Sequence, residues 1–185
     1  MRPRNASRWR SPRRKTPTTN PKSEGAAVFV ALGLGGNLGD ARDLLAAAAD
    51  QLAPAVEHSR LASFYRSAPV SALAQPPYLN TVLVGWTRLA PDELLALAKR
   101  LERRAGRVPG PRGGPRPLDI DLLVYGDLVA DAPELTLPHP RLRSRRFVLA
   151  PLAEVAPGLR LPPDGRPVSE LLAEVGQESQ VERLV

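Results

Sequence analysis

The sequence predicts an α+β domain, a two-layer sandwich in which helices pack on a mostly antiparallel sheet. Segments with strand periodicity and segments with helical periodicity both occur, but they do not follow the strict strand–helix–strand alternation of a parallel sheet. The chain has 185 residues, enough for one domain with a sizeable core. It contains no cysteine, which excludes a disulfide scaffold and a thiolate zinc site.

Nine segments have the periodicity of a strand or a helix. The predicted strands cover residues 28–34, 58–66, 78–89, 118–125 and 135–137, and the predicted helices cover residues 41–52, 91–105, 145–154 and 168–175. Asp40 can cap the first helix, and Pro91 suits the first position of the second helix. Leucine and alanine side chains form one stripe on each of these two helices, which is typical of a helix that packs on a sheet.

The formal charge of +7 belongs to the start of the chain. Residues 1–24 contain eight basic residues and one acidic residue, whereas the rest of the chain contains 18 of each kind. We predict a disordered basic tail over residues 1–25 and a domain over residues 26–185. Three interpretations of the tail stay open: a nucleic-acid-binding arm, an organelle transit segment, or translated sequence upstream of the true start. The neutral domain itself predicts no specific nucleic-acid partner.

The sequence also predicts where the protein works. No apolar run approaches the length of a membrane span, and the N-terminal residues lack the apolar core of a signal peptide. The absence of cysteine fits a reducing compartment. We therefore expect a cytoplasmic protein with no membrane partner.

The most informative stretch, residues 112–125, reads Arg-Gly-Gly-Pro-Arg-Pro-Leu-Asp-Ile-Asp-Leu-Leu-Val-Tyr. Its second half has strand composition, so Asp119 and Asp121 should share one face, about 7 Å apart along the backbone. Neighbouring carboxylates repel each other unless a divalent cation lies between them, and hard oxygen ligands suit magnesium. The apolar residues of the strand should point the other way, into a core: Ile120, Leu122 and Val124.

A loop rich in glycine and proline leads into this strand. Arg112 and Arg116 lie in the loop, where their guanidinium groups can bind phosphate oxygens. Paired carboxylates for metal and arginines for phosphate together indicate phosphoryl-type transfer. On its own, the Asp-x-Asp pattern is more typical of a strand whose end is exposed, and it is the arginine-bearing loop before it that favours the functional interpretation.

Four blocks of sequence occur in a fixed order around this strand. The blocks are 35–39 (Gly-Gly-Asn-Leu-Gly), 65–69 (Tyr-Arg-Ser-Ala-Pro) with 78–80 (Tyr-Leu-Asn), 114–121 (Gly-Pro-Arg-Pro-Leu-Asp-Ile-Asp), and 137–140 (Leu-Pro-His-Pro) before Arg145 and Phe147. Together they resemble the 6-hydroxymethyl-7,8-dihydropterin pyrophosphokinase family of the folate pathway. The resemblance covers about residues 28–165, essentially the whole predicted domain.

The resemblance implies a ferredoxin-like monomer that transfers the pyrophosphoryl group of ATP to the hydroxymethyl group of a reduced pterin and releases AMP. It implies two magnesium ions bound by Asp119 and Asp121, in agreement with the carboxylate argument. The catalytic positions that it implies are Asp119, Asp121, Arg107 and Arg116. The implied ATP-binding positions are Glu102, Arg107, Arg116, Thr136, His139 and Arg145. The implied pterin-binding positions are Ser67, Ala68, Val70, Tyr78, Asn80 and Phe147.

The chemistry of the implied pterin pocket is consistent with its ligand. Two aromatic rings, those of Tyr78 and Phe147, can sandwich a flat heterocycle, and the amide of Asn80 offers both a donor and an acceptor. Each residue also has a purely structural interpretation: the two rings can pack in a core, and His139 can hold a turn between two prolines.

The sequence departs from the family pattern in and around the arginine loop. The resemblance places Gly113 where a tryptophan is usual, and Pro109 where a second arginine is usual. It also places Gly36 where a serine is usual, and Pro140 where a tyrosine is usual. We expect these changes to weaken closure over the pterin, and we expect Gly113→Trp to tighten pterin binding. A degenerate homologue that serves as a binding or scaffolding module is the alternative function, but a binding module has no use for paired carboxylates.

Overall fold

Six strands form one antiparallel sheet at the centre of the fold. The computed structural model describes residues 26–71, 73–111, 113–176 and 181–184, so the predicted tail and Arg112 lie outside the described residues. The strands are β1 (Val28–Gly36), β2 (Glu57–Leu61), β3 (Phe64–Ser67), β4 (Tyr78–Thr87), β5 (Asp119–Tyr125), β6 (Ala130–Ala132), β7 (Leu135–Leu137), β8 (Arg160–Leu161), β9 (Arg166–Pro167) and β10 (Val181–Leu184). The helices are α1 (Ala41–Leu52), α2 (Pro91–Arg104), α3 (Arg146–Val155) and α4 (Val168–Glu174).

The main sheet has the strand order β10-β3-β4-β1-β5, and β2 also pairs with β4. Every pair in this sheet is antiparallel. Because α1 and α2 link strands that are not neighbours, this is the arrangement of a ferredoxin-like fold. The predicted α+β class and antiparallel sheet are confirmed.

Two apolar cores lie on opposite faces of the sheet. Helices α1 and α2 cover the first face, where Leu45 and Leu94 are fully buried against Leu32. Helices α3 and α4 cover the second face, where Leu149 and Leu152 are fully buried. The strands β1, β4 and β5 therefore have apolar side chains on both faces in their central part.

The predicted strand over residues 58–66 is interrupted in the structure. Its two parts, β2 and β3, pair with the same edge of β4, and the Ala62 N–H still donates to the Val82 carbonyl at 2.9 Å. The break falls at Ser63, whose N–H donates to the Glu154 carboxylate at 3.2 and 3.3 Å. The Glu154 side chain of α3 thus accepts the Ser63 N–H, which is no longer available for a strand–strand hydrogen bond.

One side chain of β5 does not point where the alternation predicts. The register between β1 and β5 shifts between Ala31 and Leu32, so that Leu122 pairs with Leu32 and Val124 with Ala31, leaving Leu123 as an extra residue. After this bulge Val124 lies in the core beneath α3, whereas Ile120 and Leu122 lie in the core beneath α1 and α2. The prediction that Val124 shares their face is wrong because a bulge reverses the alternation.

The remaining predicted elements are found with ends within two residues of their predicted positions. Four short strands were not predicted: β6, β8, β9 and β10. Three of them have two or three residues, too few for a periodic pattern, and β10 owes its place to pairing with β3. Among the described residues, no helix is long and apolar enough to cross a membrane.

Glu154 links α3 to the edge of the sheet by hydrogen bonds. Its carboxylate accepts hydrogen bonds from Ser63 Oγ at 2.9 Å, from Tyr65 OH at 2.8 Å and from Arg183 of β10 at 3.0 Å. Burial acts to raise the pKa of Glu154, but the hydrogen bonds from Tyr65 and Ser63 outweigh it and lower the pKa. Burial and the neighbouring carboxylate raise the pKa of Tyr65 to about 12.

We expect Glu154→Gln to lower the free energy of unfolding at pH 7 by about 2 kcal/mol, because charge-assisted hydrogen bonds are replaced by weaker ones. A carboxylate with a lowered pKa stabilises the fold above the pKa of an ordinary glutamate, and this contribution is lost as the pH falls through the lowered value. Urea unfolding of both proteins should therefore give stabilities that converge in acid. The exposed Glu134→Gln is the control, and a difference that persists unchanged in acid would contradict this role.

Candidate active site

Asp119 and Asp121 stand at the start of β5, on the face of the sheet that α3 covers further along. Both are partly exposed, and Leu123, two residues on, is buried in that core. The predicted common face of the two carboxylates is thus present in the structure.

Two glycines of β1 lie between these carboxylates and the side chains of β4. Gly35 pairs with Asp119 on one side and with Asn80 on the other, so the three residues form one row across the sheet. A Cβ at Gly35 would lie 3.2 Å from Asn80 Oδ1. Gly33 occupies the same place between Asp121 and Val82. At Gly35 no side chain stands between Asn80 and Asp119, which leaves a trough about 10 Å wide from β4 to β5, because neighbouring strands lie about 4.8 Å apart. At Gly33 the trough is closed, because a Cβ there would lie 3.3 Å from Leu123 Cδ1.

The Asp119 carboxylate lies between two guanidinium groups. Arg107 Nη1 contacts Oδ1, and Arg116 Nη1 contacts Oδ2 at 2.9 Å. Burial acts to lower the pKa of Arg107, but the charges of Asp119 and Glu102 outweigh it and raise the pKa. The arrangement therefore neutralises one of the two neighbouring carboxylates, which relieves the repulsion expected from the Asp-x-Asp pattern.

Glu102 of α2 lies beneath Arg107 and is only 2% exposed. Its Oε1 accepts hydrogen bonds from Lys99 Nζ and from the Ile120 backbone N–H, both at 2.8 Å, and lies 2.6 Å from Arg107 Nη1. One buried carboxylate thus ties the end of α2 to the start of β5 and orients Arg107. The expected contact of Glu102 with a nucleotide would run through Arg107.

His139 approaches the second carboxylate. Its Nε2 lies 3.8 Å from Asp121 Oδ2, and its backbone N–H donates to the Leu123 carbonyl at 2.9 Å. The Arg141 backbone N–H donates to His139 Nδ1 at 3.2 Å, which leaves the ring proton on Nε2, facing Asp121. Burial lowers the pKa of His139, against the opposing influence of Asp121, so the ring is neutral at pH 7.

The predicted pterin residues of β3 and β4 adjoin the trough. Asn80 is 7% exposed and donates from Nδ2 to Ser67 Oγ at 2.9 Å, while Tyr78 OH donates to the Gly114 carbonyl at 2.7 Å. Ala68 and Val70 follow in the β3–β4 loop, and both are exposed.

The other predicted residues lie between β5 and the first turn of α3. Arg145 lies over the Phe147 ring, with its guanidinium carbon 5.3 Å from the ring centroid. Thr136 lies in β7, opposite Asp131 of β6. Contacts of these three residues with a substrate stay predictions.

Asn37 and Gln75 belong to the site by their contacts, although the sequence analysis assigned them no role. Asn37 is 6% exposed; its N–H donates to the Arg116 carbonyl and its Oδ1 accepts from the Arg116 N–H, both at 2.9 Å. Its Nδ2 donates to Gln75 Oε1 and to the Pro76 carbonyl, both at 3.0 Å. The only sequence signal was an asparagine inside the glycine-rich turn, and nothing marked Gln75.

The backbone conformation of Gly113 argues against the expectation that a tryptophan at this position would tighten pterin binding. Gly113 has φ +74°, and a Cβ built there would lie 3.3 Å from Ser71 Cβ. An L-residue in this conformation costs about 1–2 kcal/mol, which offsets the roughly 1 kcal/mol expected from a stacked ring. We therefore no longer expect Gly113→Trp to tighten pterin binding.

A carboxylate pair facing two arginines, beside a trough on an open antiparallel sheet, is typical of an enzyme that transfers phosphate groups. Residues 31–157 match the family model of 7,8-dihydro-6-hydroxymethylpterin-pyrophosphokinase (HPPK). The chain belongs to this family.

Two relatives with the name 2-amino-4-hydroxy-6-hydroxymethyldihydropteridine pyrophosphokinase are similar to most of the chain. The protein from Pseudomonas aeruginosa is 42% identical over 159 residues, which cover 85% of this chain and 96% of the relative. The protein from Synechocystis is 39% identical over 162 residues, which cover 86% of this chain and 81% of the relative.

Solved structures of Plasmodium falciparum HPPK-DHPS have the same fold. The wild type with pterin and p-hydroxybenzoate superimposes with a TM-score of 0.67 at 13% identity, over 88% of this chain and 47% of that chain. The A437G variant with SDX-DHP gives a TM-score of 0.66 at 13% identity, over 82% and 46%. This chain spans about half the length of those proteins. The likeness confirms the ferredoxin-like α+β fold.

We expect Glu102→Ala to lower the free energy of unfolding by about 2–3 kcal/mol, because it leaves the Ile120 N–H buried without an acceptor and removes the partner of Arg107. Glu102→Gln keeps an acceptor for Ile120 and should cost less than half as much. Urea unfolding measures both, with the exposed Glu134→Ala as the control. Equal losses for Ala and Gln would mean that the hydrogen bond to β5 is not what Glu102 contributes.

Proposed function

We propose that this chain transfers the pyrophosphoryl group of ATP to the hydroxymethyl oxygen of 6-hydroxymethyl-7,8-dihydropterin and releases AMP, as a step of folate biosynthesis. Membership of the family and the names of its relatives support this activity. Within the chain, the observation that carries the proposal is the pair formed by Asp119 and Asp121 on one face of β5, with Arg107 and Arg116 against it.

The donor set of the site fits magnesium. Asp119 and Asp121 supply hard oxygen ligands. The described residues contain no group of three or more His, Cys, Asp or Glu that could hold a metal ion, so an ion at this site would take its remaining ligands from the substrate and water. Two protein carboxylates are the usual complement for an ion that takes its other ligands from phosphate and water. We propose that these two aspartates bind two magnesium ions, which would neutralise charge on the polyphosphate during transfer.

The arginines fit the ATP side of the site. Arg107 and Arg116 have their guanidinium groups at the Asp119 carboxylate, 27% and 18% exposed, so that a polyphosphate can reach them from the trough. We propose that they orient the transferred group and stabilise its charge, and that Glu102 acts by orienting Arg107. His139, Arg145 and Thr136 complete the proposed ATP-binding set.

The trough over Gly35 lies between Asp119 and Asn80, one of the proposed pterin residues. We propose that the pterin lies against Asn80 and Tyr78, with its hydroxymethyl group toward Asp119 and Asp121. The row Asn80–Gly35–Asp119 supports this placement, because a ring spanning the trough would put its substituent beside the carboxylates. Ser67, Ala68, Val70 and Phe147 complete the proposed pocket.

The bounds of the catalytic domain, its oligomeric state, its location and its partners are also proposals. We propose that residues 26–185 form the catalytic domain, that it works as a monomer in the cytoplasm, and that ATP and the reduced pterin are its only partners. The neutral charge of these residues gives no reason to add a nucleic acid.

We expect Asp119→Asn and Asp121→Asn each to lower kcat for AMP release at least ~100-fold, because each removes a charged ligand from the metal that stabilises the transition state. Chromatographic measurement of AMP checks this, with Asp131→Asn, an exposed aspartate of β6, as the control. The thermal midpoint of Asp121→Asn should stay near that of the wild type, whereas Asp119→Asn should lower it, because it removes the ion pairs with Arg107 and Arg116. AMP release at the wild-type rate by either variant would remove that carboxylate from the mechanism.

A further inference from the structure

Gln75, in the loop between β3 and β4, makes three hydrogen bonds with its side chain. Its Oε1 accepts from Asn37 Nδ2 at 3.0 Å and lies 3.2 Å from Tyr78 OH, whose one proton goes to the Gly114 carbonyl. Its Nε2 donates to Ser71 Oγ at 2.7 Å and to the Gly113 carbonyl at 2.9 Å. An amide whose two N–H donors and whose oxygen are all engaged has one defined orientation.

These contacts join three segments of the site. Asn37 belongs to the glycine-rich turn after β1, Tyr78 begins β4, and Gly113 lies in the arginine loop, by which we mean the described residues 107–111 and 113–117. The Gly113 carbonyl also accepts from Ser71 Oγ at 3.0 Å, and Tyr78 OH donates to the next carbonyl, that of Gly114. Gln75 is the only one of these side chains that contacts all three segments.

The arginine loop has little else to hold its outer part. Val108 is 77% exposed, and Pro109, Gly110 and Pro111 are exposed as well. The loop is fixed at its base by Arg107 and Arg116, and at its centre by the hydrogen bonds to the carbonyls of residues 113 and 114. Hydrogen bonds rather than apolar burial therefore determine the position of the loop.

We propose that Gln75 is a positioning residue, which holds the arginine loop against the pterin side of the site and so, together with Asn37, fixes the placement of Arg116. Arg116 follows Gly114 by two residues, and its Nε donates to the Gly114 carbonyl at 3.1 Å. A shift of the loop centre thus moves the atom to which the guanidinium is anchored. The catalytic consequence rests on the proposed function, whereas the hold on the loop does not.

The test compares Gln75→Ala and Gln75→Glu with the wild type, and Gln51→Ala is the matched control. Gln51 is an exposed glutamine of α1 whose Nε2 donates to the Ala47 carbonyl within the same helix. Gln75→Glu keeps an oxygen for Asn37 but places a carboxylate oxygen against the Gly113 carbonyl. The first measurement is the rate of tryptic cleavage after Arg107, followed by mass spectrometry; the second is kcat for AMP release.

We expect both Gln75 variants to be cleaved after Arg107 several-fold faster and to lose roughly tenfold in kcat, with thermal midpoints near that of the wild type. Gln51→Ala should behave as the wild type in both measurements. Unchanged cleavage would overturn the hold on the loop, and faster cleavage with unchanged kcat would overturn the positioning role. Wild-type behaviour of Gln75→Glu would also overturn it, because the bond to Gly113 would then be dispensable.

The test remains decisive if the wild type is inactive or if Gln75→Ala does not fold. If the wild type releases no AMP, the proposed function fails, and the cleavage rates alone still decide whether Gln75 holds the loop. If Gln75→Ala does not fold, Tyr78→Phe replaces it, because it removes only the hydroxyl that donates to the Gly114 carbonyl and lies beside Gln75. Faster cleavage of Tyr78→Phe then supports the network, and unchanged cleavage contradicts it.

Discussion

The Asp119 carboxylate, held between the guanidinium groups of Arg107 and Arg116, is the interaction on which the rest of the site depends. Two carboxylates at the start of a largely buried strand would repel each other in water-poor surroundings, and the arginines remove that difficulty by compensating one of them. Each arginine is fixed in turn, Arg107 by the buried Glu102 and Arg116 by the Asn37 side chain. The charges that a polyphosphate and its metal ions would meet are therefore already in place, at the end of a rigid sheet.

The shape of the site depends on a residue of β1 that has no side chain. Gly35 has no side chain, so Asn80 of β4 and Asp119 of β5 face each other across β1, whereas Leu123 covers Gly33. On the opposite face of the same strands, Leu32 and Leu34 are buried beneath α1 and α2. β1 thus supplies core residues from one face, and on the other face Gly35 leaves space beside the proposed site.

The sequence was sufficient to predict the parts of the structure that depend on local periodicity. The two amphipathic helices, the antiparallel sheet and the common face of Asp119 and Asp121 are all of this kind. The position of Val124 was not predictable, because the bulge at Leu123 depends on pairing with β1. Neither was Gln75, since its partners are up to 38 residues away and come together only in the folded chain. Long-range hydrogen bonds leave no pattern in a single sequence.

The central claim is that the carboxylate pair and its arginines serve transfer of a pyrophosphoryl group, rather than of a single phosphoryl group or mere binding of nucleotide. ATP labelled separately in its β and γ phosphates tests this directly, in a reaction of the full chain with magnesium and 6-hydroxymethyl-7,8-dihydropterin. The account predicts that both labels appear together in the pterin product and that unlabelled AMP forms in equal amount. Transfer of the γ label alone with release of ADP, or no transfer of either label, would contradict it.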